Sequence, residues 1–161
     1  MSEQSTKIPA GREPYQVLVF VCKNIKGKIE YLLLKRADLH VWQGVAGGGE
    51  DGESPLEAAI RETAEETGLD VSEIQQLPDI KMIPVLDVVD CYLWGKDVTE
   101  IPEYAFVAYI KGPVSIALSE EHEEKRWCDC KEAMKLLEWE SSRRAIDYIE
   151  REVEIVETAE A

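Results

Sequence analysis

Residues 47–69 read GGGEDGESPLEAAIRETAEETGL, a run around which the rest of the chain can be ordered. Leu56, Ala59, Ile60, Thr63 and Thr67 recur at helical spacing, Pro55 suits a first helical position and Gly68 a stop, so a helix is predicted from about Ser54 to Thr67. At about 100° per residue, Glu62, Glu65 and Glu66 share one patch, which the pattern places opposite the apolar row. Like charges at this spacing destabilise a helix by about 0.2–0.5 kcal/mol per pair unless a cation sits among them. Hard divalent ions take oxygen ligands, commonly one or two carboxylates with water and phosphate oxygens. Glu53 in the preceding loop is a further candidate ligand. Gly47, Gly48 and Gly49 let the loop bring a carbonyl, with Ala46 the candidate, against the same ion. Arg61 can fork onto a neighbouring carboxylate and fix its orientation.

Outward from this run, Tyr15–Cys22 and Ile29–Arg36 flank Asn24-Ile25-Lys26-Gly27 and read as a hairpin. Val85–Trp94 and Tyr104–Ile110 read as two further strands around Gly95-Lys96-Asp97, and Lys125–Cys128 as a short one. Asp129 with Glu132 predicts a capped helix through about Glu138, and Ser141 or Ser142 a cap for another running past Ile149. Ala145, Ile146, Ile149 and Val153 supply the apolar face of that last helix. Strands surrounding one central helix, with two helices at the end, predict an α/β fold with helices on both faces of a mixed sheet, as one domain over residues 12–157.

The composition narrows the function. The chain has 161 residues, 33 acidic against 18 basic side chains and a net charge of -15. Such a surface repels phosphate backbones and anionic lipid, which argues against nucleic-acid polymer and membrane as partners. A small polyanion remains compatible if divalent ions supply the positive charge. No apolar leader or spanning run is evident, and Cys22, Cys91, Cys128 and Cys130 lack zinc or redox spacing, so they are expected to be reduced, mostly core and in a cytoplasmic protein.

The spacing of Gly47, Glu53 and Arg61-Glu62-Thr63-Ala64-Glu65-Glu66-Thr67-Gly68-Leu69 resembles the signature of the Nudix hydrolase family. Its one departure is Thr63, where the pattern prefers an aliphatic residue on the buried face, a question for packing. The resemblance implies a three-layer α/β/α sandwich and hydrolysis of a diphosphate linked to another group, with Mg²⁺ or Mn²⁺ as cofactor. It makes Glu62 and Glu66 the leading metal ligands, supplemented by Glu53 and Ala46, with Glu65 and Arg61 in the catalytic set.

Outside the signature, VWQGVAGGGE and LSEEHEEKRWCDCKEAMKLLEWESSRRAIDYI resemble a bacterial subgroup that hydrolyses dihydroneopterin triphosphate and dATP-like nucleotides. In that subgroup a glutamate six residues before a strand tryptophan reaches the metal site, and Glu121 before Trp127 fits, as general base or as a further ligand. The alternative for Glu121 is a solvated acidic loop. Trp42, and less so Trp94, could stack on a ring, or be core; Lys35 and Arg36 could meet phosphates, or face solvent. His122 reads as an orienting donor or a surface residue. Gly47 and Gly48 are expected to border the substrate, a nucleotide or pterin triphosphate. Pro84 allows an ADP-ribose hydrolase as the alternative, and a non-catalytic nucleotide-binding module is disfavoured because all signature glutamates are present. The protein is expected to be a monomer or homodimer.

Overall fold

The computed structural model describes residues 11–159, in seven strands and three helices. Strand β1 (Gln16–Ile25) turns through Lys26 and Gly27, at φ 54° and 89°, into β2 (Lys28–Arg36). This is the predicted hairpin, with two consecutive left-handed residues giving the twist that a tight β-turn needs. Short strands β3 (Trp42–Gln43) and β4 (Val45–Gly48) follow, then α1 (Pro55–Thr67), β5 (Ile74–Pro84), β6 (Glu100–Tyr109), β7 (His122–Asp129), α2 (Cys130–Leu136) and α3 (Glu140–Glu152).

The main sheet runs β3-β2-β1-β6-β5, with β4 also paired to β1 and β7 to β2. Strand β1 is antiparallel to β2 and β4 and parallel to β6, so the sheet is mixed. Its alternating side chains feed two cores. Val17, Val19 and Val21 pack with Ala58 and Ala59 of α1, whereas Leu18, Phe20 and Cys22 pack with Ala133 of α2, Leu137 just after it, and Ile146 and Ile149 of α3. A strand covered on both faces needs apolar residues at every position, which is what VLVFVC supplies. The result is the expected α/β/α sandwich.

Two expectations change. The strand expected over Val85–Trp94 is instead a single 3₁₀ turn, Val85–Asp87, followed by a loop, and β5 lies earlier. The β-rich residues of that loop, Val88, Val89 and Trp94, pack around Ile83, Val85 and Ile101 in a small separate cluster. Ser141 and Ser142 lie inside α3, whose N-cap is Trp139 without a side-chain hydrogen bond. Cys91 is exposed, unlike buried Cys22 and Cys128; all four cysteines are unpaired. Among the described residues, no helix is long and apolar enough to cross a membrane.

Candidate active site

Helix α1 is fixed at both ends by its own sequence. Ser54 Oγ accepts from Glu57 N at 3.2 Å while Glu57 accepts from Ser54 N at 2.9 Å, a reciprocal box that satisfies two otherwise orphaned donors. Gly68, at φ 78°, closes the other end with its N–H on the Ala64 carbonyl. Thr63, the departure from the signature, is fully buried, and its hydroxyl donates to the Ala59 carbonyl at 2.7 Å. With the polar atom satisfied within the helix, its methyl group is left for the core.

The buried face of α1 keeps Ala59, Thr63 and Thr67 of the apolar row but is turned away from Leu56 towards Ala58 and Glu66. Ala58, Ala59, Thr63, Glu66 and Thr67 are buried and Leu56 is 44% exposed. Glu66, with only 2% of its surface exposed, therefore points into the protein beside the core, not away from it. Ala46 N lies 3.4 Å from Glu66 Oε1 and His122 Nε2 3.6 Å from the same oxygen. Gly47 crosses so closely that a Cβ there would overlap the Glu62 carboxyl group. Burial, then repulsion from Glu62, pushes the Glu66 pKa up to about 9, and burial also raises Glu62. Such a pair needs either a proton or a cation.

Arg61 organises the other acids. Its Nε donates to Glu53 Oε2 at 2.8 Å and Nη2 to Glu53 Oε1 at 3.0 Å, while Nη2 also reaches the Gly48 carbonyl at 2.7 Å. Nη1 contacts Glu65 at 3.1 Å and Glu62 at 3.2 Å. The Glu53 carboxylate is held below its ordinary range mainly by this fork. Tyr15 pins the loop further by donating to the Glu53 carbonyl at 2.7 Å. Among the described residues, no three acidic, imidazole or thiol groups converge as a ready ligand set. Glu53, the exposed Glu65 and one oxygen of Glu62 belong to the Arg61 network, and Glu62 is at the same time paired with Glu66. Buried Glu66 and half-buried Glu62, pressed by glycine backbone and sharing one guanidinium with Glu53 and Glu65, supply hard oxygen donors that fit a divalent cation such as Mg²⁺ or Mn²⁺.

Beside this pair lies a cleft of about 650 Å³, bordered by Ala46, Gly47, Gly48, Arg36, Glu121 and His122 among others. Glu121 is exposed to it, on a loop whose carbonyl accepts from Ala37 N at 2.9 Å. Arg36 reaches the cleft but is already forked onto Asp38 at 2.9 and 2.6 Å. Three expected substrate contacts are elsewhere. Trp42 is 8% exposed and belongs to the core, with Arg126 and Lys35 stacked on its ring. Lys35 pairs with Glu123 at 3.5 Å and Glu124 at 3.8 Å and does not border the cleft. Trp94 is likewise outside it, donating to the Arg12 carbonyl at 3.0 Å.

Several cleft residues escaped the sequence reading. Arg12 lies across Gly48, where a Cβ would overlap its guanidinium, and is steadied by Gln16 at 3.0 Å. Trp139, 39% exposed, supplies the aromatic wall in place of Trp42, and Lys81 stands near it with Nζ 3.4 Å from Ser141 Oγ. A tryptophan directly before a helix, left without an apolar partner in the pattern, was the one available signal for Trp139.

A cleft of this size, with cations on its rim and paired acids beneath, suits hydrolysis of a phosphate anhydride, and known relatives carry that class of name. The chain belongs to the Nudix family: the NUDIX domain profile matches residues 13–149. It is 31% identical over 123 residues to bis(5'-nucleosyl)-tetraphosphatase [asymmetrical] of Rattus norvegicus, covering 73% of this chain and 76% of that one. It is 28% identical over 139 residues to dihydroneopterin triphosphate diphosphatase of Escherichia coli, covering 84% and 91% respectively. A crystallised Listeria monocytogenes protein classed with the NUDIX hydrolases superposes with a TM-score of 0.73 at 34% identity, over 86% of this chain and 92% of that one. The chain is thus an enzyme of phosphoanhydride hydrolysis.

Proposed function

We propose that the enzyme is a Mg²⁺- or Mn²⁺-dependent pyrophosphohydrolase that cuts a purine- or pterin-bearing triphosphate between the α and β phosphates, releasing the monophosphate and pyrophosphate. The carrying observation is the buried Glu62–Glu66 pair under Gly47, beside a cleft that also holds Glu121. When bound, the metal supplies charge neutralisation and polarises phosphate oxygens. Glu62 and Glu66 hold it, with the Ala46 carbonyl as further ligand, and Arg61 keeps Glu53 and Glu65 oriented around them. Glu121 accepts a proton from the attacking water. Arg12 and Arg36 neutralise the outer phosphates and Trp139 stacks on the ring. The resemblance to the Escherichia coli diphosphatase supports the triphosphate as substrate.

A second reading, asymmetrical cleavage of a dinucleoside tetraphosphate, is favoured by the rat relative. Pro84, which suggested ADP-ribose, ends β5 and does not border the cleft. One assay separates these readings. Purified protein is incubated with dATP, dGTP, dihydroneopterin triphosphate, diadenosine tetraphosphate and ADP-ribose, and the products are resolved. Pyrophosphate from a triphosphate, abolished by EDTA and restored by Mg²⁺ or Mn²⁺, is expected; ATP with AMP from the tetraphosphate at a higher kcat/KM establishes the second reading instead.

A further inference from the structure

Glu103 is a carboxyl group that the catalytic scheme leaves unused. It sits on β6 between Gln16 of β1 and Lys81 of β5, on the sheet face that carries Ala105 and Val107 towards α3. It borders the main cleft and also an adjoining cavity of about 170 Å³ with Leu77, Ala105, Ala145 and Tyr148 in its wall. Lys81, its cross-strand partner, directs its ammonium to Ser141 Oγ at 3.4 Å. Among the described residues the Glu103 side chain has no hydrogen bond or ion pair, and burial raises its pKa with only a partial offset from Lys81. A half-buried acceptor left open on a substrate cleft is a costly arrangement unless a ligand completes it.

We propose that Glu103 reads the substrate ring, its two carboxylate oxygens accepting the adjacent ring N–H and exocyclic 2-amino group of a 2-amino-4-oxo ring, as in guanine and pterins. This rests on the reading of the cleft as the site of a ring-bearing polyphosphate, and it narrows the ring. Two N–H donors favour the ionised carboxylate and so compensate the burial that now opposes it. Adenine presents one donor beside one acceptor, which an acceptor-only carboxylate does not match. Trp139 at the same cleft provides the stacking surface, while Glu103 supplies the edge discrimination that stacking lacks.

The test compares GTP, ITP and ATP, which share one phosphate chain, with dihydroneopterin triphosphate as the pterin probe. The wild-type enzyme should favour GTP over ITP, which lacks only the 2-amino group, and over ATP by about tenfold or more in kcat/KM. Glu103→Gln, which offers one acceptor and one donor, should bring the GTP/ITP ratio to within about threefold of unity and raise ATP relative to GTP. Equal wild-type rates on GTP and ITP overturn the assignment. So does a Glu103→Gln variant, with a wild-type melting profile, that slows all three nucleotides by one common factor, the mark of a merely structural role. If the wild-type enzyme with Mg²⁺ or Mn²⁺ cleaves none of these nor any dinucleotide, the reading of the cleft itself fails and the inference fails with it.

Discussion

The imidazole of His122 stands 3.6 Å from the Glu66 carboxyl group, and both side chains are almost sealed from solvent. Burial lowers the His122 pKa, so at neutral pH this neighbour supplies no positive charge to the acids beneath it. Arg61 reaches Glu62 at 3.2 Å but is shared with Glu53 and Glu65, so the charge that balances Glu66 has to come from elsewhere.

This has a measurable pH dependence. Glu66 is raised from an ordinary 4.5 to about 9, so it binds its proton more tightly folded than unfolded. Its contribution to stability is complete below about 4.5 and declines as pH rises towards 9. His122 has the opposite sign: its contribution is complete above the ordinary 6.5 and falls as pH drops below that value. The metal-free protein should therefore lose melting temperature between pH 7 and 9. Mg²⁺ at about a hundredfold excess over its dissociation constant should restore about 2.7 kcal/mol, or roughly 5–10 °C, at pH 8. At pH 5.5 the gain should be smaller because protons compete for the same oxygens. Differential scanning fluorimetry in EDTA and in Mg²⁺ measures both; a melting temperature indifferent to Mg²⁺ at pH 8 refutes the ligand assignment.

Glu66→Gln separates function from stability. The amide keeps the shape but removes a buried anionic ligand, so turnover should fall by at least about 100-fold, roughly 2.7 kcal/mol of transition-state stabilisation. Because the amide cannot ionise beside Glu62, the metal-free variant should melt no lower than the wild type near pH 7, where Glu66 keeps its proton, and higher as pH passes 9, where the wild-type carboxyl loses it. Near-normal turnover at saturating Mg²⁺ would remove Glu66 from the metal site.

What could be read from the sequence was what is local. The helix start at Ser54 and Pro55, the Gly68 stop and the β1–β2 turn are set by residues within a few positions of one another, and each appears where expected. Strand β5 was not legible, because IQQLPDIKMIP carries two prolines, no period-two alternation and mostly exposed positions at a sheet edge. Its β-rich neighbour from Val85 drew the strand expectation instead, although its apolar residues serve a satellite cluster of loop packing. The same division holds at the site. Signature residues lie on one helix and one loop, whereas Arg12, Lys81, Glu103 and Trp139 meet only after the sheet has formed.

Arg61→Lys probes the network that ties loop to helix. An ammonium cannot make the paired contacts to Glu53 and still reach the Gly48 carbonyl, so Glu53 and Glu65 should lose their fixed orientation. We expect kcat/KM to fall about tenfold or more, with a weaker response to Mg²⁺ at subsaturating concentration. Unchanged rate and metal dependence would reduce Arg61 to a surface ion pair worth about 0–1 kcal/mol.

Glu121→Gln distinguishes a base from a ligand. Glu121 is exposed on the cleft and its loop is anchored through backbone to Ala37, so the substitution should leave the fold intact. Loss of a general base predicts turnover lower by about 10²- to 10⁴-fold with little change in metal affinity. A fall in metal affinity measured by calorimetry would make it a ligand, and no change in either quantity would return it to a solvated loop.

Gly47→Ala tests whether the close approach of the loop is functional. The added Cβ would overlap the carboxyl end of Glu62, a flexible group, while the Gly47 backbone pairs normally with Val17 and needs no left-handed conformation. The variant should therefore fold, with Glu62 displaced from the shared site by the width of a methyl group. Displacing one of two anionic ligands should weaken Mg²⁺ binding by about 10- to 100-fold and lower turnover at subsaturating metal, with part of the loss recovered at high Mg²⁺. Gly52→Ala is the control, because nothing lies within 4 Å of its Cβ and any effect there arises only from backbone strain at φ 78°. A Gly47→Ala protein that binds Mg²⁺ as tightly as wild type would show that the backbone contact does not position Glu62, and the site would have to be rebuilt around Glu66 alone.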